Sequence, residues 1–153
     1  MIECFQGDFM RTFYLFEIKE NILKNYKYNY EELYSLLFDI HQKSSEDIVV
    51  CYEIFKSIVN PINKEIYNEF IKNRNIGHEN YICYNYTHNI NDYYTDESSK
   101  LLINNSHIKI DTNKNLPTFF KDIRNFKNVF VCDFEHNDYF LLEEALYTSC
   151  IVI

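Results

Sequence analysis

The sequence of 153 residues contains no Trp, only two Gly and only two Pro. So little Gly and Pro excludes collagen-like and linker-like chains, and the Gly-rich phosphate loops GxxxxGKS and GxGxxG are absent. Basic residues are also scarce, since 15 Lys and Arg stand against 23 Asp and Glu, for a net charge of −8. A chain of this charge without a basic arm is a poor binder of duplex DNA or anionic membranes. No apolar run approaches the roughly 18 residues of a membrane span.

Cysteine is present but never in a CxxC pair. The five thiols are widely spaced and odd in number, at Cys4, Cys51, Cys83, Cys132 and Cys150. The first eight residues lack the basic and apolar regions of a signal peptide, so no export is expected. We therefore expect reduced, mostly buried thiols in a cytoplasmic protein without cofactors.

Aromatic residues are abundant instead, with 14 Tyr and 13 Phe. A chain of this length buries roughly 70% of its unfolded surface, so one domain can fold without a disulfide or a metal. We expect an N-terminal appendage over residues 1–9, a single domain over 10–143 and a C-terminal tail over 144–153. The domain is predicted to be α+β.

The apolar spacing alternates between the periods of strands and helices. Two nearly continuous apolar segments, Arg11–Ile18 and Asn128–Phe134, are typical of strands buried on both faces. Asn29 and Glu32 have the spacing of a capping box at the start of a helix. Pro61 ends or bends a later helix. Helices are predicted over Glu20–Tyr26, Tyr30–Gln42, Glu46–Val59 after a Ser45 cap, Lys64–Asn73 with Ile66, Tyr67, Phe70 and Ile71 inward, and Leu116–Phe126.

The second half of the chain favours strands. Tyr81–Thr87 and Tyr139–Leu142 are predicted as strands, and the polar stretch Asn89–Glu97 as a mobile loop. Asn104 and Asn105 separate two apolar runs, which favours a two-residue type I′ hairpin turn. The sum is a mixed or antiparallel sheet of about five strands packed with several helices.

One carboxylate pair has the spacing of a catalytic motif. Asp133 and Glu135 follow a buried strand in the Asp-x-Glu pattern of two-metal exonucleases, with His136 beside them. Only 18 residues follow Glu135, too few for the rest of such a fold. Solvated carboxylates at a strand end are the simpler interpretation.

Three other motifs are present only in incomplete form: a zinc site, a thiol nucleophile and a prenylation signal. His78, Cys83 and His88 are spaced by five, but zinc sites favour two compact ligand pairs. A thiol nucleophile lacks a nearby partner and a Gly-rich oxyanion turn. The sequence from Cys150 to Ile153 has the form of a prenylation signal, but Ile is an unusual last residue and no polybasic stretch precedes it.

Tyrosine clusters at positions 26, 28, 30 and 34. Tyr brings a large contact area with a polar handle and is enriched in protein interfaces. Stacking of single-stranded nucleic acid also uses aromatic rings, but those proteins add a basic groove, which this chain lacks. A protein interface and ordinary helix packing both fit these tyrosines.

Several segments in order resemble the SirA family, the sporulation inhibitors of DNA replication in endospore-forming Firmicutes. The similarity begins at Phe16–Tyr26 (FEIKENILKNY) after an aromatic strand. It continues through the Pro-marked segment Ile58–Ile62 and the hairpin Lys100–Ile110. Phe119-Phe120, Val131–Phe134 and the closing turn Tyr139–Leu142 complete it.

The resemblance implies a non-enzymatic inhibitor that binds the N-terminal domain of the replication initiator DnaA and contacts no nucleic acid. It places partner contacts on the first helix at Ile22, Asn25 and Tyr26, with Ile54 on the third helix as a second candidate. The family can carry an aromatic residue where Ile22 stands, and Tyr81–Glu97 has no clear counterpart. Burial against the sheet is the competing interpretation for Ile22 and Tyr26.

The predicted function is therefore inhibition of replication initiation by a cytoplasmic protein that is monomeric when free. The alternatives are a small metal-dependent hydrolase or nuclease using Asp133, Glu135 and His136, and a generic interaction domain of a phage or mobile element. An enzyme should hold these residues in a cleft, whereas a binder should expose an apolar patch around the first helix.

Overall fold

The computed structural model describes residues 10–43 and 48–145, and for residues 48–51 the backbone alone. The predicted appendage 1–9, the Ser45 cap with the first two residues of its helix, and residues 146–153 of the predicted tail lie outside this description. The described chain forms one α+β unit, as predicted.

The described part of the chain begins with the central strand β1, which three helices follow, and most of the later elements are strands. The strands are β1 Arg11–Ile18, β2 Val59–Asn60, β3 Tyr81–Tyr84, β4 Thr87–Asp92, β5 Glu97–Ile103, β6 Ile108–Thr112, β7 Val129–Asp133 and β8 Asp138–Leu141. The helices are α1 Glu20–Asn25, α2 Tyr30–Gln42, α3 Ile48–Ile58, α4 Lys64–Asn75 and α5 Phe119–Ile123, and a helical turn over 142–145 follows β8.

All strand pairs are antiparallel, in the order β3-β4-β5-β6-β1-β7-β8. The first half of β1 pairs with β6, while Glu17 and Ile18 pair with the short β2. Glu17 also pairs with Val129 of β7. Strand β2 therefore lies on the opposite side of β1 from β7, next to the end of β6. The prediction of about five strands was too low.

Two hydrophobic cores lie on opposite faces of the sheet because β1 alternates its side chains. Phe13 and Leu15 join the first core, which α4 and α5 cover, while Phe16 and Ile18 join the second, which α1, α2 and α3 cover. Both predicted central strands are therefore buried on two faces, as their continuous apolarity indicated.

The prediction of a mobile loop over Asn89–Glu97 was wrong. β4 extends to Asp92 and β5 begins at Glu97, with Asp92 paired to Glu97 across the ladder. Glu97, the one buried polar residue of this segment, accepts from two groups outside it, the Ser99 hydroxyl at 2.6 Å and the Thr118 amide at 3.0 Å. Polar strands of this kind give no hydrophobic alternation for a sequence to reveal.

The type I′ turn at Asn104-Asn105 was also wrong. The β5–β6 connection spans four residues and is closed by the Asn104 N–H donating to the His107 carbonyl at 2.9 Å. A two-residue hairpin turn occurs instead between β3 and β4, where Asn85 has a φ of 53°. Asn tolerates this left-handed conformation, so the preference of two-residue hairpin turns for Asn applies here, at a position other than the predicted one.

Helix ends and faces differ from the predictions in three places. The Asn29 side chain makes no capping bond, and its carbonyl accepts the Glu32 N–H instead. The last predicted helix is shorter than expected and contains only Phe119–Ile123. A turn in which the Phe120 N–H donates to the Pro117 carbonyl begins it. Ile66, predicted inward on α4, is 55% exposed.

Candidate protein-binding surface

Helix α1 is a six-residue helix held at its start by the neighbouring helix α3. It follows β1 directly, and the Lys19 N–H donates to the carbonyl of Ile58, the last residue of α3, at 2.9 Å. Leu23 is the one buried residue of α1. Because so short a helix is unstable in isolation, its position depends on these tertiary contacts.

The predicted contact residues on α1 lie at the border between core and solvent. Ile22 and Tyr26 are half-buried and pack against the second core, and Asn25 between them is exposed. The competing interpretation of burial is therefore partly right for Ile22 and Tyr26. Each keeps part of its surface in solvent, so the two residues and Asn25 form an accessible edge on α1.

Ile54 lies on α3 with 41% of its surface exposed. Its neighbour Phe55 is half-buried and meets Phe16 of β1 with ring centroids 5.8 Å apart. Since α1 and α3 cover the same face of the sheet and are joined by the Lys19–Ile58 hydrogen bond, Ile54 and the α1 residues belong to one side of the molecule.

The remaining tyrosines of the cluster have divided roles. Tyr28 is 92% exposed. Tyr34 is buried, stacks on Tyr139 at 4.8 Å and donates its hydroxyl proton to Asn137 Oδ1 at 3.1 Å. Tyr30 is half-buried, and burial together with the nearby Glu144 carboxylate raises the pKa of its hydroxyl. Packing therefore accounts for Tyr34 and for part of Tyr30, whereas Tyr28 is open to solvent.

The carboxylates of the hydrolase alternative belong to a structural network. Asp133 is 1% exposed; its Oδ2 bonds Arg11 Nε at 2.9 Å and His136 Nδ1 at 2.8 Å. Its Oδ1 accepts the backbone N–H groups of Glu135 and His136. The Glu135 side chain is exposed, and only its backbone N–H takes part in this network. Asp133 thus closes the β7–β8 turn, with both oxygens engaged in hydrogen bonds.

His88 is the most deeply buried histidine. Its Nδ1 lies 2.6 Å from the Tyr81 hydroxyl and its Nε2 lies 2.7 Å from Asn68 Oδ1. The carbonyl oxygen of Asn68 can only accept, so Nε2 carries the proton and Nδ1 accepts from Tyr81. Burial, assisted by the positive charge of Lys72, lowers the pKa of His88 to about 4.

This geometry leaves Cys83 without an activating base. Its Sγ is 4.0 Å from His88 Nε2, which already donates to Asn68. The second free thiol, Cys132, is buried in the second core, and burial raises the pKa of its thiol. Among residues 10–43 and 48–145, no group of three or more His, Cys, Asp or Glu residues is arranged to hold a metal ion.

One feature of the second core escaped sequence analysis. A cavity of about 350 Å³ opens between α2, α3 and the sheet. Its wall combines Tyr14 and Phe16 of β1 with Ile40 and His41 of α2 and Tyr52 of α3. These segments are far apart in the sequence, and no local pattern marks residues that meet only after folding.

Comparison with protein families connects this arrangement to a biological role. The family model described as sporulation inhibitor of replication protein SirA matches residues 11–145. No curated protein sequence matches the chain. Within the described part of the chain, no helix is long and apolar enough to cross a membrane. Since the family match spans most of the 153 residues, the chain belongs to the SirA family of sporulation inhibitors of replication.

Proposed function

We propose that this chain stops the initiation of DNA replication during sporulation by binding the N-terminal domain of DnaA in the cytoplasm. The observation that carries the proposal is the family match over residues 11–145. The family is named for an inhibitor of replication, and inhibition by a protein that binds the initiator needs a surface and no catalytic group. Occupying the recruitment domain of the initiator interferes with its assembly at the origin.

The proposed surface is centred on α1, at Ile22, Asn25 and Tyr26, and extends to Ile54 on α3. The half-burial of Ile22 and Tyr26 supports this choice. Side chains held on one side by a core lose little conformational entropy when a partner covers the other side. A Tyr in this situation provides ring area and a hydroxyl for one hydrogen bond, the combination that is common at interface hot spots.

The net charge of −8 is compatible with this mode of action. A chain with this charge repels the phosphates of the origin, so its effect on replication would come through the initiator protein. Binding between two folded domains through one short helix and one residue of a second helix predicts a one-to-one complex.

Replacement of Tyr26 by Ala is expected to weaken binding to the N-terminal domain of DnaA from the same host by about 2 kcal/mol or more, the range of an interface hot spot. Isothermal titration calorimetry with the purified full chain would measure it. Asn25→Arg is a second test because Asn25 is exposed, so this substitution adds bulk and charge to the proposed surface without altering the core. Ile54→Arg tests the contribution of α3.

Tyr93→Ala is the matched control, since Tyr93 lies on the β4–β5 turn, outside the proposed surface, with 99% of its surface exposed. It should bind as the wild type does. A melting curve for each variant separates loss of binding from loss of folding. No binding by the folded wild type at about 50 µM would contradict the proposed partner, because a functional inhibitor of this size is expected to bind more tightly. Normal binding by all three variants would keep the partner and exclude this surface.

A further inference from the structure

The cavity between α2, α3 and the sheet is a separate candidate site, and the case for it does not depend on the proposed function. Its volume of about 350 Å³ lies at the lower end of the range of small-molecule pockets, roughly 300–1,000 Å³. The C-terminal half of α2 forms one wall, and the β5–β6 turn at Ser106-His107 forms another. The floor is the second core, so the cavity has a rigid base.

The lining is dominated by rings. Tyr14 of β1 lies with its ring centroid 5.0 Å from His41 and 5.6 Å from His107. On the other side, Phe16 meets Phe55 at 5.8 Å. Rings at these distances pack against one another and form an aromatic wall, on which a flat aromatic ligand can stack or place its edge.

Two of the polar side chains that line this cavity can donate to an anion. Lys43 and His41 both line it, and neither side chain has a hydrogen-bond or ion-pair partner among the described residues. His107, by contrast, is engaged by Ser106 and Asn104. Burial lowers the pKa of His41, and its imidazole has an N–H to donate in either protonation state.

The described lining residues of the cavity carry a charge opposite to that of the chain. No Asp or Glu is among its described lining residues, although the chain has a net charge of −8. Two further lysines stand near its rim: the Lys56 ammonium lies 5.0 Å from the Tyr52 ring centroid, and Lys109 is close enough to contribute to a lowered pKa of His107. A local excess of cations favours an anionic ligand.

The C-terminus of α2 opposes this tendency, because the last carbonyls of a helix carry partial negative charge. Lys43, the residue at that C-terminus, supplies the positive charge that offsets them. The ability of the cavity to accept an anion should therefore depend on this one side chain.

We propose that the cavity between α2, α3 and the β5–β6 turn binds a small aromatic carboxylate. Its ring lies among Tyr14, Phe16 and Phe55, and its carboxylate is held by the Lys43 ammonium and the His41 N–H.

The test uses the full chain with 2-naphthoate and its neutral analogue 2-naphthamide. Because the chain contains no Trp, the fluorescence anisotropy of either probe can be read at wavelengths that the protein does not absorb. Saturable one-to-one binding of naphthoate with a Kd below about 1 mM is expected, and the affinity for naphthamide should be at least about tenfold lower.

Lys43→Met should lower the affinity for naphthoate by about tenfold and leave the affinity for naphthamide unchanged. Lys43→Arg should retain most of the affinity for naphthoate.

Lys27→Met is the control, since Lys27 is an exposed lysine on the α1–α2 connection, and it should bind naphthoate normally. Tyr52→Ala removes an exposed ring from the cavity wall and should weaken both probes. The proposal is overturned if naphthoate does not bind saturably, if naphthamide binds as tightly as naphthoate, or if folded Lys43→Met retains wild-type affinity.

Discussion

Replacement of Asp133 by Ala is expected to lower the free energy of unfolding by about 3–5 kcal/mol, the usual cost of removing one partner from a buried ion pair. Asp133 is 1% exposed and its two oxygens hold the Arg11 and His136 side chains and two backbone N–H groups. Without it, the hydrogen-bond partners that the partly buried Arg11 keeps among the described residues are the exposed Asp138 and Asn115. Urea denaturation of both proteins measures the difference.

Glu135→Gln is the matched control because Glu135 was the second carboxylate of the hydrolase alternative and is exposed. Its effect should stay within about 0.5 kcal/mol, as for most surface substitutions. Equal stability of Asp133→Ala and wild type would contradict the structural role of Asp133 and reopen the question of a functional one. Asp133→Asn should fall between the two, because the amide oxygen can still accept the backbone N–H groups while the charge is lost.

Acidification from pH 6.5 to pH 4 is expected to destabilise the protein through His88, by an amount on the order of 3 kcal/mol at 1.36 kcal/mol for each pKa unit. The pKa of His88 is about 4 in the folded chain and 6.5 ordinarily. The unfolded state therefore takes up a proton first as the pH falls, and stability rises with pH over this interval. The contribution of His88 is complete above pH 6.5 and is lost progressively towards pH 4.

Comparison with His88→Gln isolates this term, since Gln can accept from Tyr81 and donate to Asn68 without binding a proton. The variant should show a shallower fall in the free energy of unfolding between pH 6.5 and pH 4. Lowered pKa values of His41 and His107 act in the same direction, and the raised pKa of Asp122 acts in the opposite one. These groups are present in both proteins, so their contributions cancel in the comparison.

His78→Gln is an exposed control and should show the pH profile of the wild type. Identical pH profiles for the wild type and His88→Gln would contradict the conclusion that His88 causes the loss of stability.

The two predictions concern polar groups inside an apolar fold, and both identify residues that sequence analysis could only treat as candidates for chemistry. Asp133 and His88 had the residue types of a catalytic or metal site. Each is instead bonded on all sides, which makes it stabilising while its partners remain and destabilising when one is removed.

The sequence alone determined the α+β class, β1 at its residue bounds and the central strand β7, because strands buried on both faces carry long apolar runs that need no tertiary context to recognise. It also predicted α2 over its observed range, Tyr30–Gln42. It missed the start of β5 and its pairing with β4, since Glu97 and Ser99 occupy buried positions of β5 where an apolar residue would reveal the strand, and they bond each other and Thr112 of β6.

Only the tertiary structure decided how the candidate surfaces are composed. Whether Tyr26, Tyr28 and Tyr34 are half-buried, exposed or buried depends on where α1 and α2 meet the sheet, and their identical side chains carry no such information. The cavity beside Lys43 likewise joins residues of β1, α2, α3 and the β5–β6 turn. Sequence patterns report interactions within one helix or strand, whereas surfaces and cavities arise where separate elements come into contact, and packing alone determines which side chains they share.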